Sequence, residues 1–353
     1  MKKTKVKVKR LKKGSNIAVI SPSNGLASVF PHIYEMGLKN LSEVFGFNMV
    51  EYPTSRMLSK DLYTNPKLRA EDIQSAFQDE SIDGIICTIG GYESVRILEY
   101  LDMDIIMNHP KFIMGFSDAT TFLSYFNKWG LVTFYGPSVM AGLAQMKNMD
   151  QSYEKHLKDM LLKNNKSYVY KPYKQYTNGY KDWSDPELVG QCEAFYDNEN
   201  GFEFYLDDEP SEGELWGGCI EVLEFIKGTK YWPEPDFWYN KVLFFETSEE
   251  KPSPMAVGYM LRNYGIQGIL NSIKGLLIAR PKDYTEEEKE DLKKIVMDIM
   301  TLEFNVKDIP IVFNMDFGHT DPKLILPLGC VVRIKPKENC IELVESPYTN
   351  KNK

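Results

Sequence analysis

The sequence predicts an α/β fold: an N-terminal α/β sheet domain with helices on both faces, then a smaller, β-rich C-terminal domain. Three observations carry this. Within residues 16–129, short apolar runs alternate with amphipathic stretches in repeated strand, loop, helix units. Over residues 164–186 the pattern dissolves into Lys, Asn, Tyr and Gly without periodicity, as a crossing between domains would. Beyond it the chain returns to short apolar strands and one well-capped helix. The expected division is 1–166 for the first domain, 167–186 for the linker and 187–353 for the second.

The first unit opens with the apolar strand 16–21 (NIAVIS), which breaks at Ser21-Pro22-Ser23-Asn24-Gly25 before a helix over 30–45. The second passes from a helix near 70–78 into the strand 84–89, the loop Gly90-Gly91-Tyr92 and a helix ending near Leu101. The third takes the strand 111–114 through Gly115-Phe116-Ser117-Asp118 into a helix reaching Trp129. In such sheets the loops after the strands gather at one edge, where ligands bind. The loops at Ser21, Gly90 and Gly115 are therefore expected to share a site. In the second half, strands are expected at 241–245, 275–279 and 310–314, with a terminal hairpin of 331–334 and 341–344. Thr285 with Glu288 three residues later forms a capping box for a helix.

Composition narrows the function. With 353 residues, 43% hydrophobic and 26% charged, the chain reads as an ordinary globular protein, and disorder is excluded. No apolar run approaches the roughly 20 residues of a membrane span, and the basic start lacks the apolar segment of a secretory signal, so a cytoplasmic location without membrane partners is expected. Five cysteines without a C-x-x-C pair indicate reduced thiols rather than a disulfide framework or zinc ribbon. Residues 2–13 hold eight Lys or Arg and no acid, so with a net charge of −8 the rest of the chain carries −16, an acidic body ill suited to nucleic acid. Lys5-Val6-Lys7-Val8-Lys9 alternates like a protected edge strand.

No phosphate loop or dinucleotide fingerprint is present, and the four histidines form no H-E-x-x-H pattern, so neither a cofactor nor a metal is expected. Gly115-Phe116-Ser117-Asp118 has the outline of a strand-to-helix turn that displays a nucleophile, although Ala119 stands where an α/β-hydrolase has its second glycine. Ser117 reads either as that nucleophile or as a helix cap. A serine nucleophile needs a base. His319, in Phe317-Gly318-His319-Thr320-Asp321, is the best placed histidine; a ring bonded only within its own loop is the alternative. Glu246 ends an apolar strand and is a candidate to orient that base, whereas a solvated acidic turn with Glu249 and Glu250 is the plain reading. The Gly90-Gly91 turn offers backbone N–H groups to an oxyanion or is only a tight turn.

Taken in order, Ile17-Ala18-Val19-Ile20-Ser21-Pro22-Ser23, Asp83 to Cys87 with Gly90-Gly91-Tyr92, and Gly115-Phe116-Ser117-Asp118-Ala119-Thr120 resemble the LD-carboxypeptidase family of serine peptidases. So do Gly217-Gly218, the strand ending in Glu246, Gly318-His319 with Pro322, and Pro327-Leu328-Gly329. The resemblance implies a Ser117, Glu246, His319 triad, an oxyanion hole from the N–H groups of Gly91 and Asp118, a site between domains and a homodimer. It also implies one of two substrates. The microcin C self-immunity branch cleaves aminoacyl or peptidyl nucleotides, and the murein branch releases terminal D-alanine from cell-wall peptides. The Tyr- and Trp-bearing stretch before the second domain is closer to the immunity branch, with Trp183 at the position that stacks on a nucleobase. Tyr92 and Cys219 are the other expected substrate contacts, Cys219 standing where the family often has asparagine. Arg96 and Arg262 are unranked partners for an acidic substrate group. A binding protein without hydrolysis is the alternative from another class.

Overall fold

The computed structural model describes residues 4–349. Five strands, β1 (Asn16–Ile20), β2 (Asn48–Glu51), β3 (Gly84–Cys87), β4 (Phe112–Gly115) and β5 (Thr133–Tyr135), lie parallel in the order β5-β4-β3-β1-β2. Every residue of β3, β4 and β5 is buried. Strands covered on both faces read as unbroken apolar runs, which is why they were visible in the sequence. The helix Pro31–Phe45 starts with Pro in its first turn and buries Ile33, Tyr34, Leu38, Leu41 and Phe45. The helix Thr120–Lys128 follows β4 and buries Phe122, Leu123 and Phe126, each contributing about 1.5–3 kcal/mol of burial.

The remaining strands are β6 (Tyr168–Tyr170), β7 (Gln175–Thr177), β8 (Phe195–Asp197), β9 (Glu203–Tyr205), β10 (Ser211–Cys219), β11 (Lys241–Glu246), β12 (Gly275–Ala279), β13 (Ile311–Met315), β14 (Leu326–Leu328), β15 (Val331–Lys335) and β16 (Cys340–Leu343). Eight of them form a second sheet in the order β6-β16-β15-β10-β11-β12-β13-β9. Its centre, β10 to β13, is parallel, and antiparallel strands flank it on both sides. The fold is thus an N-terminal α/β layer joined to a β-rich C-terminal region. Thr285 and Glu288 make the expected reciprocal cap on the helix Glu286–Asp298.

Three features depart from the sequence reading. Within 167–186, β6 joins the second sheet through β16 and β7 pairs with β8, so pairing organises a stretch that shows no periodicity. Among the described residues, the basic start makes isolated bridges, Val6 to Leu131 and Val8 to Tyr348, instead of an edge strand. Lys5 and Lys7 turn to Glu345, at 2.5 and 2.6 Å, while Val8 is buried. Third, β14 leaves the C-terminal region and pairs antiparallel with β5, completing the edge of the first sheet. No helix among the described residues is long and apolar enough to cross a membrane.

The turn beyond β13 is anchored by a buried ion pair, Arg280 Nη1 to Asp316 Oδ1 at 2.7 Å. Asp316 also accepts from the Tyr173 N–H at 2.9 Å, and Arg280 Nε donates to Asn314 at 2.9 Å. Burial pushes the Asp316 carboxyl up, against the pull of Arg280. Arg280→Ala strands a carboxylate in the core and should lower the unfolding free energy by about 3–5 kcal/mol in denaturant titration. Arg262→Ala, which opens the partly exposed pair with Glu303, should change it by about 1 kcal/mol or less.

Candidate active site

Strand β4 delivers the chain to Ser117 in a left-handed conformation, φ +57°, from which the helix Thr120–Lys128 departs. A non-glycine residue held there is strained, and the neighbouring contacts must hold it. They come from Asp118, whose carboxylate accepts from the Ser23 hydroxyl, from the Glu93 N–H at 3.0 Å and from the Ser94 N–H at 2.8 Å. Burial raises the Asp118 carboxyl while these bonds pull it down. Through this one side chain the loops after β1, β3 and β4 meet at a single edge. The Gly90-Gly91 turn presses against the serine: a methyl group at Gly90 would sit 3.1 Å from Ser117 Oγ and 3.5 Å from the Asp118 nitrogen.

The second half brings two groups to the same place. Glu246 ends β11 and is 2% exposed. His319 follows β13 in the turn anchored by Asp316. Gly318 makes their approach sterically feasible, since it has φ +85° and a Cβ there would lie 2.5 Å from Glu246 Oε2. His319 Nδ1 donates to Glu246 Oε2 at 2.6 Å, and Nε2 is 3.1 Å from Ser117 Oγ. The Phe116 ring packs edge-on against the imidazole at 5.1 Å. The other Glu246 oxygen, Oε1, accepts from the Tyr135 hydroxyl at 2.5 Å, and that hydroxyl accepts from the Ser117 N–H at 3.0 Å. Tyr135 thus ties the serine backbone to the carboxylate, a link without a sequence signature. Burial disfavours the charged imidazole, but Glu246 and then Glu249 outweigh it and raise His319 to about 9.

Ser117 and His319 line a cavity of about 240 Å³ together with Gly91, Tyr92 and Trp183. Tyr92 is 60% exposed at its mouth, its hydroxyl donating to Glu250 at 3.0 Å. Trp183 stacks on Tyr180 at 5.8 Å and 17°, and its carbonyl is 2.8 Å from His32 Nε2. Cys219 is a correction to the sequence reading. It is fully buried at the end of β10, its Sγ lies 3.4 Å from Glu221 Oε2, burial holds its thiol well above the ordinary range, and it does not line the cavity. Arg96 and Arg262 do not line the cavity either; they pair with Glu93 and Glu303. The cations that do line it, Lys282 and Lys323, were missed, because an isolated lysine carries no spacing signal. His156 is buried between Tyr168 and the Ile325 N–H, at 2.8 Å from each, and His109 lies exposed at a helix end. A second cavity, of about 250 Å³ around Tyr176 and Lys289, shares none of these residues.

Tyr135→Phe removes one donor from Glu246 and the acceptor of the Ser117 N–H. It should cost about 1–3 kcal/mol in denaturant unfolding and slow acylation of Ser117 by a serine-directed probe. The ring of His319 sets a pH dependence. Its folded-state value lies above the ordinary 6.5, so its charge contributes stability in full below about 6.5, and that contribution is lost as pH rises through about 9. The unfolding free energy of the wild type should fall across this window with a slope that His319→Gln lacks.

Residues 17–136 match the LD-carboxypeptidase N-terminal domain and residues 212–334 the LD-carboxypeptidase C-terminal domain. YocD of Bacillus subtilis, a carboxypeptidase by name, is 27% identical over 92% of this chain and 95% of its own. The microcin C7 self-immunity protein MccF of Escherichia coli is 26% identical over 79% of this chain and 78% of its own. The crystal structure of an MccF-like protein from Streptococcus pneumoniae in complex with AMP superposes with a TM-score of 0.82 at 31% identity, covering 93% of this chain and 98% of that one. MccF itself shares the fold at 24% identity and TM-score 0.82, in a structure that holds aspartyl sulfamoyl adenosine. Matched in both halves and aligned over nearly its whole length with an MccF-like structure, the chain belongs to the LD-carboxypeptidase family, in its MccF-like branch.

Proposed function

We propose that the chain is a serine hydrolase that cleaves the amide-type bond joining an aminoacyl or peptidyl group to a nucleotide, in the manner of microcin C self-immunity. The observation that carries this reading is the continuous relay from Ser117 Oγ through His319 to Glu246, at 3.1 and 2.6 Å. Ser117 Oγ attacks the carbonyl carbon while His319 Nε2 takes its proton, and Glu246 orients and stabilises the imidazolium. The tetrahedral oxygen is received by the N–H groups of Gly91 and Asp118. The C–N bond then breaks, His319 returns the proton to the leaving nitrogen, and water releases the acyl group by the same steps. Trp183, backed by Tyr180, is the stacking surface for the base, and Tyr92 closes the mouth of the cleft. The AMP bound by the pneumococcal relative and the sulfamoyl adenosine bound by MccF support a nucleotide-bearing substrate. The family resemblance supports a homodimer, and five unpaired cysteines support a reducing cytoplasm.

A murein peptide is the second reading. It is favoured by the carboxypeptidase name of YocD and by Lys282 in the cleft, which suits a free terminal carboxylate as well as a phosphate. Purified protein offered an aminoacyl sulfamoyl adenosine and a murein tetrapeptide side by side, with products read by mass spectrometry, decides between them. Cleavage of the nucleotide conjugate is expected, and release of D-alanine alone would overturn the first reading. Ser117→Ala should lose about 10⁴–10⁶ in kcat without loss of fold. Trp183→Ala should weaken the nucleotide substrate by about 1–3 kcal/mol and leave a murein peptide unaffected.

A further inference from the structure

Glu249 has no place in the relay, yet it lies closer to the base than the serine does. Its Oε2 is 2.7 Å from His319 Nε2, against 3.1 Å for Ser117 Oγ, while Nδ1 of the same ring faces Glu246 at 2.6 Å. A carboxylate has no proton to give, so a ring with a carboxylate at each nitrogen carries N–H on both. The alternative, a proton kept on Glu249, runs against the order of acidity, since this side chain is 45% exposed and remains the stronger acid. The His319 bond, opposed by burial, draws the Glu249 carboxyl down to about 2. An imidazole protonated on both sides has no lone pair for the Ser117 proton.

We propose that Glu249 acts through His319 as a displaceable counter-ion: it keeps the ring doubly protonated while the cleft is empty, and its departure from Nε2 frees the base. This rests on the acyl-transfer reading above. The two carboxylates on the ring differ in the way such a device requires. Glu246 is 1% exposed at its side chain and fixed by Tyr135. Glu249 extends from a turn pinned by the Ser248 N–H and hydroxyl on Glu221, at 3.0 and 2.6 Å, so its side chain can rotate while the backbone stays. It lines the same cavity as Ser117, where a substrate competes for its space, and Lys282 in that cavity offers it another partner. The other charges around the ring are already engaged. Lys323, over the Phe116 ring at 4.4 Å, is paired with Asp321 at 2.7 Å, and Glu250 accepts from Tyr92. Tyr135 reaches the ring only through Glu246.

The test is the rate of Ser117 acylation by a fluorophosphonate from about pH 5 to about pH 10, in the wild type, Glu249→Gln and Glu249→Ala, with nitrogen NMR of the His319 ring alongside. Removing one opposite charge at this distance should lower the pH midpoint by about 1–3 units in both variants and speed acylation near neutrality by about tenfold or more. The ring spectra should show both nitrogens protonated in the wild type at neutral pH and a larger share of rings protonated on Nδ1 alone in the variants. Superimposable pH profiles with unchanged ring spectra would overturn the proposal. If no variant is acylated at any pH, the acyl-transfer reading fails, and the ring spectra still decide whether Glu249 sets the proton count of His319.

Discussion

A buried carboxylate needs partners, and the partners of Glu246 organise this molecule. Removing such a group from water costs several kcal/mol unless its oxygens are satisfied. Here one oxygen is met by Tyr135 from the first sheet and the other by His319 from the turn beyond β13. The carboxylate therefore draws both halves of the chain onto one point, and Tyr135 passes that constraint on to the backbone of Ser117. Orientation of the imidazole, seating of the serine and apposition of the two sheets follow from one requirement for hydrogen bonds.

Around that point the molecule sets strain against fixation. Ser117 is held left-handed by a neighbour, Asp118, whose own carboxylate is buried and bonded to two other loops. The acidic turn after β11 shows how position divides identical chemistry: Glu246 is enclosed, Glu249 lies half in solvent against the imidazole, and Glu250 reaches outward to Tyr92. Three carboxylates within five residues thus occupy three electrostatic environments, and only the innermost is held from both sides.

The same contrast explains what could be read from the sequence. The parallel strands were legible because burial on both faces leaves unbroken runs such as residues 84–87, and the helix at Glu286–Asp298 because its cap is written in Thr285 and Glu288. Strands β6 to β9, three residues each, are too short to carry a period and exist through their partners. Ser117, Glu246 and His319 can be singled out in the sequence because each ends or follows a strand in a recognisable segment. Tyr135, Lys282 and Lys323 cannot, since nothing local marks a residue whose contacts lie more than a hundred positions away or across a cleft. The setting of Cys219 is illegible for a related reason: sequence order gives its neighbours along β10 but not the direction of its thiol, which lies against Glu221.

The excursion of β14 has a consequence for how the molecule comes into being. During synthesis the free edge of β5 finds its partner only when Leu326–Leu328 has emerged, long after β5 itself. Until then the nascent first half presents an open strand edge, a surface prone to adventitious pairing. The segment that closes this edge begins seven residues after His319 in the sequence. Sealing the first sheet and delivering the imidazole to Glu246 are therefore closely linked events of biogenesis, and a fragment that ends before His319 lacks both the protected edge and the imidazole.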